Sequence, residues 1–282
     1  MPSSSSFTES NDKKLRSNGV FATKTKKALL MFFVLAGAFV VLSLTRSNTT
    51  PSNVEGASFV SSFAASNINS SSHSSCYPKI GLRPVKSREE LPKLLEDHKL
   101  KSGIEIGVKQ GSFAKYILDS WKSCEKYHLV DLWAQQENYK DIANVENATH
   151  DKFYEETKEH VKGYEEKTEF HRMLSTEAAK KFDKESIDFI YVDARHDYCG
   201  VTEDLEHYWP ILKPGGIMAG HDYNENSEVR GQDWGLCGDG TRNDLAVKGA
   251  VNDFFIPKGL TITVTYWRQH NFMTWVVQKP LC

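Results

Sequence analysis

Residues 103–114 read GIEIGVKQGSFA, and the fold class turns on how this stretch is interpreted. Its first six residues form a short apolar run holding one acid, Glu105, the composition of a strand buried within a sheet. Phe113, Tyr116, Ile117 and Leu118 then recur at helical spacing, so Gly107 and Gly111 fall in the turn between a strand and a helix. Residues 127–131, YHLVD, read as a second strand that ends on Asp131. Working outward, strands are expected over 169–173, 187–193 and 216–221, alternating with helices over 176–182, 201–212 and 245–255. A capping box from Ser87 to Glu90 predicts an earlier helix running to about residue 99, and the polar segment 133–162 is expected to be helical and mostly solvated. Two β-rich runs, 260–266 and 272–278, predict an antiparallel hairpin at the sheet edge.

Such alternation predicts a doubly wound α/β domain over residues 76–282, with a mostly parallel sheet and a ligand site outside the carboxyl ends of its strands. The polar candidates fall there: Gly107 and Gly111 after the first strand, Asp131 at the second, Asp193 at the fourth, and His221 with Asp222 at the fifth. The pattern E-x-G-x-x-x-G differs from the G-x-G-x-x-G that cradles a pyrophosphate, because Lys109 and Gln110 occupy the turn. A loop of this kind, with a glutamate in the strand and Asp131 able to accept from ribose hydroxyls, suits a cationic nucleoside better than a dinucleotide. Asp131 would serve an NAD site equally, so an NAD-dependent oxidoreductase is the alternative reading.

The ordered blocks GIEIGVKQGSFA, YHLVDLW, VDARHDY, LKPGG and AGHDY resemble the class I S-adenosylmethionine-dependent methyltransferases across about residues 100–280. The VD-x-x-H-x-Y and AGHDY blocks look like the small-molecule O-methyltransferases related to antibiotic sugar O-methyltransferases. The resemblance implies a Rossmann-like seven-stranded sheet with the C-terminal antiparallel hairpin. It also implies S-adenosylmethionine as cofactor and a hydroxyl of a sugar or small molecule as acceptor. Glu105, Gly107 and Gly111 would then line the methionine and ribose part of the cofactor, Asp131 its ribose hydroxyls, and Ser175 the adenine side.

Transfer to a hydroxyl requires that an oxygen be placed in line with the methyl group and relieved of its proton. Asp193 and Asp222 are acids suited to holding a divalent cation, magnesium or manganese, that would lower the hydroxyl pKa. Related metal-dependent enzymes bind at three places that match Asp193, His221 and Asp222; the imidazole of His221 departs from their acid or amide and favours manganese, iron or zinc over magnesium. His196, three residues after Asp193, occupies the place where related enzymes put a catalytic base. Arg195 stands where an acid is common and suggests an acidic substrate, and Tyr223, Trp234 and Trp267 are candidate substrate walls.

The N-terminal quarter reads differently. Residues 28–45, ALLMFFVLAGAFVVLSLT, carry no charge and would span about 27 Å as a helix, which predicts one transmembrane anchor. Residues 1–27 hold six basic and two acidic side chains, whereas the remaining chain holds 29 and 35, so the basic tail is expected in the cytosol and the domain in the Golgi or ER lumen. Residues 46–75, with eleven Ser, read as a disordered stem; an alternative is a bipartite plastid leader that is cleaved. Asn48, Asn69 and Asn147 fit the glycosylation pattern. A net charge of −2 provides no basic field, so no nucleic-acid partner is expected. Of five cysteines, Cys76 and Cys282 could pair, while Cys124, Cys199 and Cys237 read as incidental packing or loop residues. No D-x-D triplet supports a metal-dependent glycosyltransferase.

Overall fold

The computed structural model describes residues 82–265 and 272–281. The expected anchor at 28–45, the stem at 46–75, Cys76, Cys282 and Trp267 lie outside the described residues. Among the described residues no helix is long and apolar enough to cross a membrane.

Five strands form the parallel part of the sheet: β1 (Ser102–Ile106), β2 (Lys126–Asp131), β3 (Thr168–Arg172), β4 (Ile187–Val192) and β5 (Leu212–Gly220). The short β6 (Thr263–Val264) and β7 (Trp275–Gln278) form the C-terminal hairpin, with β7 antiparallel to β5 and β6 on the rim. The spatial order is β3-β2-β1-β4-β5-β7-β6. Chain direction therefore reverses its lateral progress between β1 and β4, the switch point where open α/β sheets bind ligands.

Both faces of this sheet are covered, which is why its central strands read as near-continuous apolar runs. Ile104, Ile106, Val130, Ile190 and Val192 pack on one face beneath α4 (Ser175–Ala179), α5 (Tyr198–Tyr208) and α6 (Ala246–Phe255). Leu129, Phe189, Tyr191 and Ile217 pack on the other beneath α1 (Leu91–Asp97) and α2 (Ser112–Ser120), with α3 (Asn147–His160) alongside.

Three local expectations need correction. Ser87 makes no side-chain cap; a 3-10 turn, Arg88–Glu90, precedes α1, and Glu90 accepts instead from the Lys86 N–H. Only Asn147–His160 of the polar segment is helical. Its first part is held irregular by side chains that take backbone groups a helix would use: Asn144 accepts from the Gln136 N–H and donates to the Gln136 and Tyr139 carbonyls. Finally, Cys199 and Cys237 are not incidental, since they form a disulfide between α5 and the loop before α6. Cys124 is buried and free.

Candidate active site

The turn after β1 is shaped by backbone geometry. Gly107, Lys109 and Gly111 all have positive φ, and a Cβ at Gly107 would lie 1.9 Å from the Asp193 carbonyl oxygen. Glycine there lets β1 and the end of β4 approach each other. Asp131 fixes the loop from the end of β2: its Oδ2 accepts from the Val108 and Lys109 N–H groups at 2.9 and 2.8 Å, and its Oδ1 from the Trp133 N–H at 2.7 Å. Burial raises the Asp131 pKa, while these three donors favour its charged form. The Lys109 carbonyl accepts from Trp133 Nε1 and Thr157 Oγ1, tying the turn to α3.

A cavity of about 340 Å³ opens beside this loop, within the range of small-molecule sites. Gly107, Asp131 and Ser175 line it, together with His150, whose buried Nε2 has no hydrogen-bond partner among the described residues. Gly111 instead packs against Thr157, and Glu105 does not line the cavity. Glu105 is buried, accepts from the Tyr127 hydroxyl at 2.9 Å, and has its pKa pushed up to about 8 by burial.

Next to the cavity, the ends of β4 and β5 bring four candidates together. Single donor atoms of Asp193, His221 and Asp222 lie within 4.8 Å of one another, so these residues fit a divalent cation with mixed oxygen and nitrogen donors. His221 Nδ1 is 2.8 Å from Asp222 Oδ1. Asp222 itself has φ 57°, a left-handed conformation that aspartate tolerates better than most residues. His196 sits between carboxylates: its Nδ1 is 2.9 Å from Asp141 Oδ2 and 3.2 Å from the Tyr139 hydroxyl. Its Nε2 is 3.0 Å from Asp222 Oδ2 and 3.5 Å from Asp193 Oδ1, although neither contact is aligned as a hydrogen bond. Burial works against the imidazolium, but Tyr139, Asp222, Asp141 and Asp193 together hold the His196 pKa well above its ordinary value. Burial likewise opposes the Asp222 carboxylate, yet His196 and His221 keep it far below the usual range.

Residues 104–223 match the family model described as a methyltransferase domain. That stretch, from β1 to just past β5, is similar to a methyltransferase domain. No curated protein matches the chain. Similar solved structures include an O-methyltransferase from Bacillus cereus in complex with SAH, 16% identical, covering 72% of this chain and 84% of that chain with a TM-score of 0.47. Another is the N-methyltransferase NodS from Bradyrhizobium japonicum, 13% identical, covering 68% and 94% of the two chains with a TM-score of 0.44. Nothing in these comparisons favours an NAD-dependent oxidoreductase.

Several residues of the site carry no local sequence signal. Asp141 accepts from Trp234 Nε1 at 2.7 Å as well as contacting His196, and Tyr139 bridges His196 to the Ala194 carbonyl while lining the cavity. Trp234 is therefore a buried support for Asp141, with its ring 4.5 Å from that of His196, rather than an open wall. Tyr223 packs against the core and donates to Asn252. Arg195 lines the cavity, but its Nε donates to buried Asp197 at 2.6 Å and its guanidinium stacks over Tyr139, so much of its charge is already answered within the protein.

Proposed function

We propose that the protein is an O-methyltransferase that methylates a hydroxyl of a sugar or other small molecule, with metal assistance. The observation that carries this reading is the contact between the nucleoside-sized cavity and the carboxylate–imidazole cluster, made through Tyr139 and Ala194. S-adenosylmethionine supplies an electrophilic methyl group, and the chain's residues position the acceptor and receive its proton.

Asp131, Gly107 and Ser175 would hold the cofactor beside the β1 turn, where Asp131 already organises the loop backbone. Asp193, His221 and Asp222 would hold a divalent cation and present the acceptor oxygen to His196. His196 would accept the hydroxyl proton as the acceptor oxygen takes the methyl group and the methyl–sulfur bond breaks, leaving S-adenosylhomocysteine. With their charge shared with a cation, Asp193 and Asp222 would grip the imidazole proton less tightly, which would bring His196 closer to the range of a useful base. The chain would work from a single-pass anchor with its domain in the lumen; the Cys199–Cys237 disulfide supports an oxidising compartment.

The test is incubation of the full chain with S-adenosylmethionine, divalent cations and hydroxylated sugars. A mass gain of one methylene on an acceptor, with formation of S-adenosylhomocysteine, is expected. Absence of calorimetric binding to either cofactor form would overturn the proposal.

A further inference from the structure

His128, Glu169 and His171 form a second group of metal-ligating side chains, on the β2–β3 pair at the opposite rim of the sheet from the hairpin. His128 pairs in register with Glu169, and Val130 with His171. Side chains alternate along a strand, so these three residues project from the same face as Val130, whose side chain belongs to the core under α4 and α5. Phe182, just beyond α4, packs edge-on against both imidazoles, with ring centroids 4.9 and 5.6 Å away.

The donor spacing is close to that of a coordination shell. His128 Nδ1 lies 3.1 Å from His171 Nε2, and the Glu169 oxygens lie 3.8 Å from the first and 3.6 Å from the second. Bonds of about 2.0–2.1 Å in a tetrahedral zinc site put neighbouring ligand atoms roughly 3.3 Å apart, so small side-chain movements suffice. Burial keeps both imidazoles below their ordinary pKa, His128 at about 4, leaving them neutral ligands at neutral pH. Glu169 is half exposed and stays ionised beside Lys126. Two imidazole nitrogens and one carboxylate match zinc and its borderline neighbours rather than magnesium or calcium.

We propose that His128, Glu169 and His171 bind a zinc-like divalent transition metal, with water completing the tetrahedron, at a site separate from the methyl-transfer cluster. Its occupancy would fasten the outer strand β3 to β2. The competing arrangement is a simple imidazole–imidazole hydrogen bond beside the Lys126–Glu169 ion pair.

Cobalt(II) titration of the full chain distinguishes them, because tetrahedral cobalt has intense visible bands. The bands should develop on the unmutated chain, vanish in His171→Gln, and persist in His221→Gln, which alters only the other cluster. Glu169→Gln is a second variant, at a half-exposed position where folding is little disturbed; its cobalt affinity should fall at least about tenfold, while methyl transfer by this variant and by His171→Gln stays unchanged. No tetrahedral bands on the unmutated chain, bands that survive His171→Gln, or an unaltered affinity in Glu169→Gln would each overturn the proposal. The methyltransferase reading would stand in all three cases, since it is judged by cofactor binding and product formation.

Discussion

A single methyl group at position 107 would collide with the backbone of the neighbouring strand, 1.9 Å from the Asp193 carbonyl oxygen, at a φ that side chains disfavour. Gly107→Ala should therefore cost roughly 3 kcal/mol or more, read as a lower urea midpoint. A midpoint equal to that of the unmutated chain would mean that the two strands do not approach in this way. Glu105 ties folding stability to pH. Its folded pKa of about 8 exceeds the ordinary carboxyl value, so the folded protein keeps a proton that the unfolded chain releases. Stability from this group is fully present below the unfolded pKa and is lost as pH rises towards 8. Glu105→Gln should remove that loss: urea unfolding at pH 5 and pH 8 should show the variant gaining on the unmutated chain at the higher pH. Parallel pH dependence in the two proteins would refute the assignment of a protonated, buried Glu105.

The irregular stretch between β2 and α3 decides how the His196 site is assembled, because it delivers Tyr139 and Asp141 to the imidazole. Removing the negative charge in Asp141→Asn should lower the proton affinity of His196, whose pKa the carboxylate helps to raise. If proton acceptance by His196 limits methyl transfer, the acid limb of the pH–rate profile should move to lower pH. An acid limb that stays in place would show that another group governs it. His196→Ala should reduce kcat by about 10²–10⁴, measured in the same methyl-transfer assay. The sequence made Asp193, His196, His221 and Asp222 legible as a group, since all follow strands whose apolar runs are easily recognised. Asp141 and Trp234 were not legible as partners. They sit in loops joined only by distant pairings, such as the Lys140–Asp233 bridge and the Ile142 N–H to Gln232 bond, which local periodicity does not encode.

Across the whole molecule, the mostly parallel sheet and its closing hairpin follow from the order of strand-like and helix-like runs, whereas the disulfide does not, because 38 residues separate Cys199 from Cys237. Closure of a loop of that length is worth roughly 3–4 kcal/mol in the chain-entropy account. The double substitution Cys199→Ser with Cys237→Ser should lower unfolding stability by about that amount in denaturant. It should also weaken S-adenosylhomocysteine binding, since Cys199 lines the cavity. Unchanged stability and binding would show that the bridge is dispensable to both.

The two outermost strands of the sheet are short, and β3 is charged. β3 is five residues long, and its Glu169 and Arg172 engage Lys126 and Asp151, while β6 comprises only two residues among those described. Among the described residues, neither rim presents a long, flat, uncharged ribbon on which a neighbouring copy could continue the hydrogen-bond ladder. These two edges should therefore not be the place where crowded copies begin to stack into fibrils.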